Sequence, residues 1–106
     1  MHVERTHYVD RIPEDPALPA LQRYEYDLFR FSEGDEVLVA RSYSFDQSGA
    51  HFLRRESGPE HFGLTRKDTT TSLFLSAVSY LQGVGMSEVQ WLNIEGEGYE
   101  SLSGST

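Results

Sequence analysis

One segment of the chain repeats its apolar residues with a helical period, and it stands between segments that alternate with a period of two. At about 100° per residue, Leu73, Phe74, Ala77, Val78, Tyr80, Leu81 and Val84 share one arc about 160° wide, enough to cover a sheet. The spacing predicts a helix over residues 70–82. Asp68 or Thr69 suits its N-cap, because a short side-chain oxygen accepts from the free N–H groups of the first turn. Gly83 or Gly85 ends it.

Around this segment the pattern is that of strands. YEYDLFRF sets Tyr24, Tyr26 and Leu28 against Glu25 and Asp27, and then passes its apolar side to Phe29 and Phe31. Such a switch predicts a bulge, a twist or burial of both faces near the strand end. SEGDE supplies a turn, EVLVARSYSF a second strand paired antiparallel with the first, DQSG another turn and AHFLRRE a third, shorter strand. After the helix, SEVQWLNIEGEGY restores β character, with Val89 and Trp91 against Leu92 and Ile94, until Gly96 and Gly98 stop it. HVERTHYVD reads as a short edge strand within a Pro-rich lead-in over residues 1–22. The prolines of RIPEDPALPAL make residues 12–22 irregular, with one helical turn at most. Residues 100–106 read as a polar tail. The order β-β-β-α-β predicts an α+β fold over residues 1–106 as one domain, a mainly antiparallel sheet with one principal helix on one face. Trp91, Leu81, Phe74 and Leu53 are its expected buried residues.

Charge narrows the function classes. The formal net charge is -8, and residues 69–106 contain no Lys or Arg. An acidic molecule repels phosphate backbones and anionic lipid at long range and attracts basic partners. The longest mostly apolar run, SLFLSAVSYLQGVG, falls short of the roughly 20 residues that cross a bilayer. The N-terminal residues lack the basic start and apolar stretch of a secretory signal. The chain has no cysteine, which excludes thiolate chemistry and fits a reducing compartment. A cytoplasmic protein without membrane contact is the expectation.

Against this charge, residues 54–67 hold four of the nine basic side chains. Arg54, Arg55, His61, Arg66 and Lys67, with the hydroxyls of Thr69 and Thr70 at a helix start, form the candidate anion site, since free N–H donors and a partial positive charge collect there. Asp68 competes for the same donors as cap. No glycine-rich phosphate loop occurs, no HExxH or comparable spacing of the four histidines points to a metal, and no GxSxG elbow is present. No cofactor is implied. Glu25 and Asp27 project from one strand face, where paired acids are usually solvated. Tyr24, Tyr26, Arg30, Arg41, Tyr43 and Phe45 could form a stacking platform for single-stranded nucleic acid, but their face could equally be the core under the helix, and the net charge opposes it.

The leading expectation is therefore a non-enzymatic protein-binding or regulatory module. A small-molecule or anion-binding protein, or an enzyme, with its site at residues 54–71 is the alternative. A homodimer is expected through helix 70–82: Ser72, Leu75, Ser76, Ser79 and Gln82 form an outer face in a segment, Thr69 to Ser87, without a charged residue. The other cover for that face would be Leu18 and Leu21 of the lead-in.

Overall fold

The structure, a computed structural model, describes residues 1–11, 23–44, 48–96 and 98–102. The expectations for residues 12–22, for Phe45 and for residues 103–106 lie outside these. Among the described residues the elements are β1 (His2–Arg11), β2 (Arg23–Glu33), β3 (Glu36–Tyr43), β4 (Gly49–Ser57), β5 (Glu60–Phe62), a 3₁₀ turn (Arg66–Thr70), α1 (Ser72–Gly83), β6 (Glu88–Asn93) and β7 (Gly98–Ser101). The order β1-β2-β3-β4-β6-β7 makes one mostly antiparallel sheet, with β5 branching from β4. The sheet-dominated α+β class therefore holds. The β-β-β-α-β pattern is corrected by two strands absent from the expectation, β5 and β7, and by β1, expected only as a short edge strand.

β2 and β3 join through a two-residue turn whose first residue, Gly34, has φ 62, a conformation that glycine adopts without steric cost. Gly58 does the same between β4 and β5. β4 then serves two partners along its other edge. Its first half, Gly49–Phe52, pairs parallel with β6, and its end, Arg55–Ser57, pairs antiparallel with β5. A parallel neighbour requires a crossover, and α1 supplies it.

The helix lies on the sheet face formed by Phe29, Phe31, Leu38, Ala40, Phe52, Val89 and Trp91. The Phe74 ring centroid is 4.5 Å from that of Phe52, and the Tyr80 ring meets Phe31 at 5.7 Å edge-on. Trp91, Leu81 and Phe74 are buried as expected. Leu53 is only half-buried: the β3–β4 register shifts between Val39 and Ala40, so Ala40 faces Phe52 and Val39 faces Arg54, leaving Leu53 as the extra residue. Val84, placed with the buried arc by periodicity, is exposed because α1 ends at Gly83. The helix also begins two residues late. Thr71, not Asp68 or Thr69, is its N-cap and accepts from the Phe74 N–H at 3.3 Å.

β1 runs ten residues rather than a short edge, each opposed to a residue of β2. The lead-in reading of residues 1–22 is corrected there. β7 includes Glu100 and Ser101, and Leu102 N–H donates to Val89 O at 2.9 Å, so the polar tail begins after a paired strand. No helix among the described residues is long and apolar enough to cross a membrane.

Candidate functional site

The β2 pattern switch has a physical cause other than a bulge, since its registers with β1 and β3 run without a shift. Phe29 and Phe31 lie under the helix. Glu25 and Asp27, on the same strand face, lie past the end of α1, where that face meets no helix. The strands thus extend beyond their cover, and a cleft of 560 Å³ opens between them and the helix C-terminal end, lined by Arg5, His7, Asp27, Ser42 and Met86 among others.

His7, Asp27 and Ser42 form one row across β1, β2 and β3, because His7 opposes Asp27 and Asp27 opposes Ser42. Asp27 is the centre. His7 Nδ1 lies 2.6 Å from Oδ1, and Arg5 Nε donates to Oδ2 at 2.7 Å. Burial pushes the Asp27 carboxyl up, but the hydrogen bonds from His7 and Arg5 more than offset it and hold it below the ordinary aspartate value. His7 Nε2 faces Glu25 Oε2 at 3.6 Å. A serine nucleophile needs the imidazole between it and the carboxylate. Here the carboxylate stands in the middle and the imidazole lies between two acids, so the row does not have the order of a serine-hydrolase triad. Among the described residues no group of three or more His, Asp or Glu could hold a metal ion.

The basic residues of 54–67 separate. Strand alternation sends Arg54 and Arg55 to opposite faces. Arg54 Nε donates to Glu56 Oε2 at 2.8 Å, and His61 Nε2 stands 3.7 Å from the same oxygen. Arg55 donates to Glu36 at 3.0 Å, approaches Asp68 at 3.5 Å and lies over the Phe62 ring. Arg66 donates to Glu100 at 2.7 Å and sits over Trp91. Lys67, in the same 3₁₀ turn, has no ion pair among the described residues. The hydroxyls of Thr69 and Thr70 point backward, donating to the carbonyls of Arg66 and Lys67 at 2.6 and 2.8 Å. Asp68 accepts from the Thr65 N–H and hydroxyl, capping the 3₁₀ turn. The expected anion ligands are thus spread over two faces, and most are bonded within the chain.

The expected self-association residues share one exposed stripe. Ser72, Leu75, Ser76, Ser79 and Gln82 are all exposed on the outer side of α1, and Leu75 is 57% exposed.

The other sheet face carries no helix among the described residues. Tyr26, Arg30, Arg41 and Tyr43 do share one face, as expected for a stacking platform, and it is this open face rather than the core. Tyr8 stacks on Tyr26 with centroids 5.4 Å apart, Tyr26 meets Tyr43 edge-on at 6.3 Å, and the Arg41 guanidinium lies 4.8 Å from the Tyr43 ring centre. Arg41 opposes His51, whose ring is 4.7 Å from that of Tyr99 on β7. An aromatic and arginine row therefore crosses most of the sheet. Arg30, in contrast, is turned to Glu56 at 2.6 Å.

Sequence reasoning missed Arg5, His7, Ser42 and Met86 in the cleft, and Tyr8 and Tyr99 in the row. The one signal available was acids in β2 on the side that becomes apolar two residues later. The chain matches no family model, no curated protein and no solved structure.

Proposed function

We propose that this chain is a non-enzymatic protein-binding module that engages a basic partner through the open face of its sheet. The observation supporting this is the row Tyr8, Tyr26, Tyr43, Arg41, His51 and Tyr99, held in register by the strands. Tyrosine and arginine are enriched where protein interfaces are energetically strongest, because rings and guanidinium planes give large contact area for few rotatable bonds. The net charge of -8 steers basic surfaces toward the molecule. A cytoplasmic setting is proposed with it, one compatible with a chain free of cysteine.

A second reading, single-stranded nucleic acid, is favoured by Arg41 lying over Tyr43 beside Tyr26, since bases stack on such groups. The overall charge weighs against it.

A photo-crosslinking residue placed at Tyr8, at Tyr99 or, as a control, at Asp35 in the β2–β3 turn decides between them in cells. The expected result is a covalent adduct with a second polypeptide from both sheet positions and none from Asp35. A nuclease-sensitive adduct would establish the second reading instead, and the lack of any adduct from Tyr8 and Tyr99 would refute both.

A further inference from the structure

The geometry points to a second site, separate from the open face: we infer that the cleft past the end of α1 binds a small neutral polyhydroxylated compound of monosaccharide or inositol size. Its 560 Å³ lies within the range of roughly 300–1,000 Å³ occupied by small-ligand sites. Its polar floor is the row His7, Asp27 and Ser42, and its apolar wall is Val84 and Met86.

Ser42 carries the inference furthest. The residue is 6% exposed, and among the described residues its hydroxyl makes no hydrogen bond. A serine hydroxyl both donates and accepts, so an unpaired one at a cleft wall is within reach of a ligand hydroxyl. This one lines the cleft, where a ligand atom can pair with it, and the exposed Ser44 stands two residues further along the rim.

Charge selects the ligand class. Arg5 and His7 lie against Asp27, and His7 also faces Glu25, so the Arg5 guanidinium and the Asp27 carboxylate already have partners within the chain. An anion entering would meet two carboxylates on a molecule of net charge -8. A cation would meet the guanidinium of Arg5. A hydroxyl group meets neither penalty: it donates to a spare lone pair of Asp27, accepts from a spare N–H of Arg5, and does either with a serine. The C–H surface of a sugar or cyclitol ring fits the wall of Val84 and Met86. Arg5, His7 and Asp27 would orient the compound, and Ser42 would complete its hydrogen bonds.

The test is a two-dimensional amide NMR titration of the full chain with three probes, free glucose, ribose and myo-inositol, and with inorganic phosphate and spermidine as charged controls. At least one polyol is expected to shift the amides of His7, Asp27, Ser42 and Met86 together and to saturate. Ser42→Ala removes a hydroxyl that the fold does not use, so its spectrum should stay dispersed while affinity falls roughly 3- to 10-fold, the loss of one hydrogen bond. Asp27→Asn should weaken binding further. The inference is overturned if none of the three polyols gives a saturable shift, if phosphate or spermidine moves these amides more than the polyols do, or if affinity is unchanged in folded Ser42→Ala.

Discussion

Arg30 on β2 and Glu56 on β4 reach each other across the whole width of β3, with Nη2 2.6 Å from Oε1. Arg54 adds a 2.8 Å bond to the other oxygen, and the Glu56 side chain is almost fully buried beneath the two guanidinium groups. Burial pushes the Glu56 carboxyl up, and the two arginines outweigh it, so in the folded state it sits below the ordinary glutamate value. A depressed folded value means that the unfolded chain binds the proton first as pH falls. The stabilisation is therefore complete above the ordinary unfolded glutamate value of about 4.5 and disappears as pH drops through the lower folded value. Urea denaturation at pH 7 and at steps below pH 5 should record this loss. Glu56→Gln should cost about 2 kcal/mol at pH 7, given the partial exposure of both arginines, and should flatten the acid limb. An unchanged acid limb would mean that other carboxylates govern it.

Trp91 and Phe74 meet the core from opposite layers, sheet and helix, and both are buried. Alanine at either should cost about 3–5 kcal/mol through lost burial and a residual cavity. Leu53→Ala should cost clearly less than either, because the bulge leaves Leu53 half-buried. The ranking is read from urea midpoints at constant m-value.

Two glycines respond oppositely to one added methyl group. At Gly63 a Cβ would stand 2.9 Å from Ile94 Cβ and 3.0 Å from its Cγ1, beside the bridge of Leu64 with Asn93. Gly63→Ala should destabilise by about 1–3 kcal/mol as strand and loop move apart. Gly83, the last helical residue, has open space around it, and Gly83→Ala should stabilise by about 0.4–1 kcal/mol by restricting the unfolded chain. Thermal melts of the pair check the contrast.

The outer stripe of α1 is tested as a self-association surface by light scattering with size-exclusion chromatography. The wild type is expected at twice the chain mass and Leu75→Glu at the single mass. Because Leu75 is mostly exposed in the single chain, the variant should melt within about 0.5 kcal/mol of wild-type stability when compared as monomers. A monomeric wild type removes the dimer.

Regular alternation and helical period made β2, β3, β4, β6 and α1 legible, since each buries one face against the same core. β1 was harder to read because, as an edge strand with mostly exposed side chains, it mixes Glu4, Arg5 and Thr6 with few apolar residues. β5 is three residues long and β7 four, too short for any period to register. The cleft was illegible for a related reason. Asp27 looks like a solvated acid in sequence, and only the ending of α1 short of the strands gives it Arg5, His7 and Ser42 as company. The pairing of Arg54 and Arg55 as one basic cluster failed on strand geometry alone, since neighbours on a strand point apart.

β1 pairs with β2 along one edge only, and among the described residues its outer edge carries no further strand. An element anchored on one side opens at lower free energy than the sheet behind it, so amide hydrogens of β1 should exchange well before those of β3 and β4. Arg5 and His7 leave with it. The cleft thus exists only in the fraction of molecules in which this strand is zipped down. Anything that occupies the cleft would slow exchange at backbone positions it never touches, turning the N-terminal ribbon into a clock for occupancy.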